Sequence, residues 1–184
     1  MYAELFYICL ARLWLVGAWT QRPVIKECSE LQTFRVSNII ITDASISQLT
    51  TARFTLTLTK PLGNKPKLKV TLRKKSGIKV PCLLGYGSCT YKLCEGTTKQ
   101  EQALARMWGN RCPVPAFEET PVIQFPMVPA MQMIVGIAPT KFTMRFEVTN
   151  GNKTVGCQSF KVEIRRGKQK LVGGMQEKAV GLEE

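Results

Sequence analysis

The stretch Val80–Cys94, "VPCLLGYGSCTYKLC", places three of the chain's seven cysteines within fifteen residues. Three chemistries compete for such a cluster: a metal site, a redox pair or a covalent staple. Six residues separate the first two cysteines and four the next two, whereas close zinc-ligand pairs and dithiol redox motifs both want Cys-x-x-Cys. The intervening "LLGYGS" contains Gly85 and Gly87, which supply the positive φ angles of a tight loop. The spacing therefore points to a staple, with Cys82–Cys89 closing across the loop.

The remaining cysteines support that reading. The segment "MYAELFYICLARLWLVGAWT" is mostly apolar, with Val16 and Ala18 as small residues at −3 and −1 of a cleavage after Ala18. Residues 1–18 are accordingly expected to be a secretory signal peptide, although Glu4 and Arg12 interrupt its pattern. Cys9 would leave with it. Six cysteines then remain, Cys28, Cys82, Cys89, Cys94, Cys112 and Cys157, an even number with fifteen possible pairings.

Most of the chain reads as strand. "RFTLTLT" sets Phe54, Leu56 and Leu58 against threonines at period two. "KLKVTLR" does the same with Leu68, Val70 and Leu72, and "FTMRFEV" with Phe142, Met144, Phe146 and Val148. "FRVSNIIIT" is a further strand. The turn "TNGN" leads into "TVGCQSFKVEI" as a hairpin. Within that last strand Val155 and Cys157 share one parity while Phe160, Val162 and Ile164 share the other, which predicts a bulge near Ser159. Short alternating strands joined by turns define an all-β antiparallel sandwich or cup.

One helix interrupts this pattern. "TKQEQALARMWGN" opens with Thr98 and Glu101 as a capping box, presents Leu104, Met107 and Trp108 on one face, and can end at Gly109. A Cys94–Cys112 bridge would tie both ends of this insertion to the body. Next comes the uncharged run Pro121–Pro139, whose four prolines rule out a membrane-spanning helix. It divides into a proline-punctuated part and a strand-like "MQMIVGI". Residues 19–166 form the expected domain, and 167–184, with mixed charges and no sustained period, the expected mobile tail.

Composition narrows the function. The chain has no histidine and a single aspartate, Asp43, which removes histidine-based triads, the commonest general base and histidine-bearing zinc sites. Glu118, Glu119 and Glu147 remain, in settings that do not mark them for acid–base work. No catalytic residue, metal or cofactor is expected. The net charge of +13 is either a solvated surface or a match for an anionic partner such as phospholipid, sulfated glycan or nucleic acid. Secretion and disulfides argue against nucleic acid.

With these residues in place a resemblance is evident. "IKVPCLLGYGSCTYKLC", then "CPVPAF", then "NKTVGCQSFKVEI" resemble the ganglioside-activator branch of the ML lipid-recognition superfamily, from about Cys28 to Ile164. The resemblance implies an immunoglobulin-like β-cup whose apolar interior takes lipid tails. It also implies Cys28–Cys157 alongside Cys82–Cys89 and Cys94–Cys112. Three departures stand out: the activator branch carries a fourth bridge inside the insertion, the gap between Cys89 and Cys94 is one residue shorter here, and the net charge of +13 is far more basic.

The expected cavity lining is Phe54 and Leu56, then Leu68, Val70 and Leu72, then Phe142, Met144 and Phe146. Met107 and Trp108 are expected at its mouth, facing Met131, Met133, Ile134 and Val135, to meet a membrane surface transiently. Asn152 heads the glycosylation sequon "NKT". The function expected is a non-catalytic, secreted or lysosomal protein that extracts a glycolipid or phospholipid and presents it, with a glycosidase as a possible partner. The alternative is an extracellular recognition protein. Its basic face, at Arg73–Lys75 and Arg165–Lys170, would bind anionic microbial lipid or sulfated glycan.

Overall fold

The computed structural model describes residues 18–83, 85–127 and 139–165. The signal-peptide expectation for 1–18, the tail at 167–184 and the strand-like "MQMIVGI" therefore lie outside the described residues, Ala18 itself excepted.

Among the described residues, ten strands make two five-stranded antiparallel sheets. In the first, β1 (Thr20–Gln21) pairs with β3 (Phe34–Thr42), which pairs with β4 (Leu49–Leu58). Strand β4 then carries β7 (Phe117–Glu119) and β8 (Val122–Pro126) along its other edge. In the second, the order is β2 (Lys26–Glu27), β10 (Lys153–Ile164), β9 (Thr140–Asn150), β5 (Lys67–Lys74) and β6 (Thr90–Lys92). This is the expected immunoglobulin-like sandwich, with one short inserted helix, α1 (Lys99–Ala105).

Period-two alternation places the apolar residues as the sequence predicts. On β9, Phe142, Met144, Phe146 and Val148 face inward, and on β4, Phe54, Leu56 and Leu58 do so, each opposite exposed or polar neighbours. Two bulges let the alternation survive irregular stretches. On β3, pairing with β4 jumps from Ser37 to Ile40, so that Val36 and Ile41 are both buried despite their odd separation. On β10 the jump lies between Thr154 and Gly156.

That second bulge corrects the expectation of one near Ser159. The face changes at Val155, and Cys157 does not share Val155's side. Gly156, Gln158, Phe160 and Val162 form the inward row. Cys157 takes the opposite face, where β2 brings Cys28 alongside. Gly156 is where β10 comes closest to β3: a Cβ there would run into the Phe34 carbonyl oxygen.

All three disulfides are formed: Cys28–Cys157, Cys82–Cys89 and Cys94–Cys112, with Cα separations of 5.0, 4.9 and 5.7 Å. Gly85 and Gly87 adopt φ of +80° and +97° in the stapled loop, as its tight turn requires.

Helix α1 begins with the expected capping box. Thr98 Oγ1 accepts from the Glu101 N–H, and Glu101 Oε2 accepts from the Thr98 N–H. The helix tightens into a 3-10 turn at Arg106–Trp108 and stops at Gly109, whose φ is +69°.

Candidate functional site

The inward residues gather in three buried groups. One lies along β3 and β10, with Val36, Ile41, Leu56, Phe160 and Val162. A second closes one end of the sandwich with Leu58, Leu62, Leu93, Trp108, Val114 and Val148. The third closes the other end with Ile46, Val80, Met127 and Phe142.

Two glutamines tie the sheets together along the β3–β10 edge. The Val36 N–H donates to Gln158 Oε1 at 2.6 Å, in buried surroundings between the sheets. On β1, Gln21 Nε2 donates to the Glu163 carbonyl at 2.9 Å, and the Glu163 N–H donates to Gln21 Oε1 at 2.8 Å. One side chain thus stands in for a neighbouring strand. The buried Gln158 tie holds geometry firmly, because separating it leaves a desolvated donor and acceptor without partners, and the part-buried Gln21 pair adds to it.

The interior beyond that edge is different. On the central strand β9, Phe142 is 1% exposed and Val148 0%, yet Met144 and Phe146 between them are partly exposed. On the facing central strand β4, Leu56 and Leu58 are buried and Phe54 is partly exposed. Leu68, Val70 and Leu72 on β5 are likewise partly exposed. A close-packed sandwich buries the middles of its central strands most deeply. Here the ends are sealed and the middle is accessible. The eight residues expected to line a cavity all lie on the inner faces: Phe54, Met144 and Phe146 pack against the first group, Leu68 against the second and Leu72 against the third, Val70 is partly exposed, and Leu56 and Phe142 are buried members of the groups.

The expected mouth is only partly described. Met131, Met133, Ile134 and Val135 lie outside the described residues. Trp108 corrects the expectation of an exposed aromatic: it is 6% exposed and stacks on Phe117, with ring centroids 5.8 Å apart. The capping box and the 3-10 turn roll Trp108 beneath the helix, where it seals the end of the sandwich. Met107 is partly exposed and touches two of the buried groups.

Glu101 is the most constrained charge near this end. Its carboxylate accepts from the N–H groups of Lys92 (2.8 Å), Thr97 (3.0 Å) and Thr98 (3.0 Å). The hydrogen bonds from Lys92 and Thr98 hold its pKa down at about 2. With every oxygen committed to backbone, Glu101 organises the insertion and is not a proton donor at neutral pH.

Sequence reasoning missed the two glutamine ties and the exposed Ile78, Leu83 and Tyr86 in the β5–β6 connection. Gln158 carried a signal once the phase of β10 is known, because it is a polar residue in the apolar row. A surface groove of about 630 Å³ is bordered by apolar Ile25 and Val36 together with polar and charged side chains, among them Glu27, Arg35, Thr57 and Gln158. Among the described residues no group of acidic, cysteine or histidine side chains is arranged to hold a metal, and no helix is long and apolar enough to cross a membrane.

These features define a disulfide-stapled β-sandwich in which several inner-face residues of the central strands are only partly buried. No family model and no curated protein matches the chain. Among solved structures it is similar to a Niemann-Pick type C2 protein from Japanese carpenter ant, with TM-score 0.46 and 15% identity over 77% of this chain and 99% of that one. It is also similar to the C-terminal domain of wzt, with TM-score 0.37 and 8% identity over 92% and 90%. The fold assignment rests on the strand pairing described above.

Proposed function

We propose that this chain is an ML-type lipid-binding protein that takes an acyl chain between its sheets. The observation that carries the reading is the burial along the inner faces of the central strands: Phe54, Met144 and Phe146 are more accessible than the inward Leu58, Phe142 and Val148 nearer the strand ends. An acyl chain would occupy that space in place of missing core. Each buried methylene contributes ~0.8 kcal/mol, so a chain of about sixteen carbons gains on the order of 10 kcal/mol before ordering costs. Such binding needs no catalytic group, in keeping with a non-catalytic role.

The Gln21 and Gln158 ties favour entry from the opposite side, between β8 and β5. In the sequence, Met127 to Pro139, which contains Met131, Met133, Ile134 and Val135, links β8 to β9. Those residues and Met107 are the proposed lip. Presentation of a glycolipid to a glycosidase, a secreted or lysosomal location, and a glycan on Asn152 belong to the same proposal. Asn152 is exposed at the β9–β10 turn, and three disulfides suit an oxidising compartment.

The test is mass spectrometry of an organic extract of the purified secreted protein against a matched control. A stoichiometric co-purifying lipid is expected and would name the ligand class. A clean extract, followed by failure to take up lipid from vesicles, would overturn the proposal.

A further inference from the structure

The outer face of the second sheet is a lattice of cations. Alternation along β5 turns Lys67, Lys69 and Arg73 outward, β6 adds Lys92, and β10 adds Lys161. Register places these residues in rows across the strands: Lys92 beside Lys67, and Arg73 in line with Thr143 and Lys161. The face also carries hydroxyls at Thr71, Thr143 and Ser159.

Acidic residues balance this lattice only in part, with Glu147 on β9 directly opposite Lys69. Glu147 is paired with Arg145 at 3.4 Å, and Glu163 is shared by Lys141 at 3.8 Å and Arg165 at 3.3 Å. Among the described residues, Lys67, Lys69, Lys92 and Lys161 make no ion pair.

Two of the cross-strand pairs join like charges directly: Lys67 opposite Lys92, and Arg73 opposite Lys79 across an isolated bridge. Directly opposed like charges destabilise a sheet. An anion lying across such a pair would turn that repulsion into attraction.

We propose that this face binds a linear sulfated glycan, independently of any lipid held between the sheets. From Lys67 to Arg73 the face runs about 20 Å along β5, and three strand spacings from β6 to β10 span roughly 14 Å. That is room for several sugars with sulfates over successive rows.

The same observations disfavour other polyanions. The face has no aromatic side chain in its rows on which a base would stack, as single-stranded nucleic acid requires. Of the exposed large apolar groups a bilayer would accept, Ile78, Leu83 and Tyr86 stand in the loop connecting β5 and β6, Leu49 and Val122 belong to the first sheet, and Val24 and Leu31 lie outside the strands. The three disulfides belong to compartments where sulfated glycans are the polyanions encountered.

The experiment titrates the full protein with a size-defined heparin oligosaccharide, its desulfated counterpart, phosphatidylserine vesicles and a single-stranded DNA of matched charge. It compares Lys67→Glu/Lys161→Glu with a control of equal charge change, Arg53→Glu/Lys60→Glu. The face pair should weaken sulfated-oligosaccharide binding about tenfold or more at physiological salt, and the control less than about twofold. Lys92→Gln should raise the melting temperature of the free protein while weakening the oligosaccharide.

Lipid uptake should be unchanged in all of these variants, which separates the two sites. If the glutamate pair does not fold, Lys67→Gln/Lys161→Gln supplies the same comparison. Equal losses in face and control variants would overturn the proposal, because net charge alone would then explain binding. So would undiminished binding of the desulfated chain, or a face-dependent preference for vesicles or DNA.

Discussion

Two regions of one interior behave in opposite ways. Along the β3–β10 edge the sheets are drawn together: Gly156 lets the backbones approach, Gln158 bonds across, and Phe160 and Val162 pack against Val36 and Ile41. At the middles of β4 and β9 the same alternation puts Phe54, Met144 and Phe146 inward but leaves them partly accessible. Apolar content is similar in both regions. What differs is the presence of polar ties and a glycine that permits close approach. A hydrophobic face therefore specifies which side is inside, while a few directional contacts decide whether the inside is filled.

The contrast breaks most severely where an end seal is removed. Phe142→Ala should cost ~3–5 kcal/mol, as a fully buried aromatic does on truncation, read as a lower urea midpoint. Replacing Cys28 and Cys157 together by serine should cost ~2–4 kcal/mol, because the bridge closes a long loop between β2 and β10. Gln158→Leu should cost ~1–3 kcal/mol by stranding the Val36 N–H in the interior. If the ties set the spacing, the same variant should also alter the chain length of lipid accepted.

The pH dependence follows from Glu101. Its pKa is held at about 2, below the ordinary 4.5, so its contribution to stability is present above pH 4.5 and is lost as pH falls toward 2. Glu101→Gln should flatten that acid limb and lower stability at neutral pH by about 1–2 kcal/mol, measured by melting across pH 2–7. The smallest stability effect belongs to Met144→Ala, about 1 kcal/mol, because that side chain is already partly exposed. Its lipid uptake should nevertheless fall markedly. A large stability loss with unchanged uptake would make Met144 ordinary core and remove the contrast.

Local rules were enough for much of this protein. Period-two alternation identified the inner faces of β4, β5 and β9. The Thr98–Glu101 pair set the start of α1, and cysteine spacing with Gly85 and Gly87 pointed to the Cys82–Cys89 staple. These features depend on neighbours a few residues apart in the chain, so the sequence displays them directly. The Cys28–Cys157 pairing needed the family resemblance, since its partners lie 129 residues apart.

Other features belonged to the tertiary structure alone. The bulge at Val155, not Ser159, depends on how β10 aligns with β9. Trp108 is buried because a 3-10 turn rotates it under α1 onto Phe117. The cationic rows exist because register sets Lys67 against Lys92 and Arg73 in line with Lys161. Alternation determines which face a residue takes, but its neighbours across strands are chosen by pairing, and pairing is settled only when the whole sandwich closes.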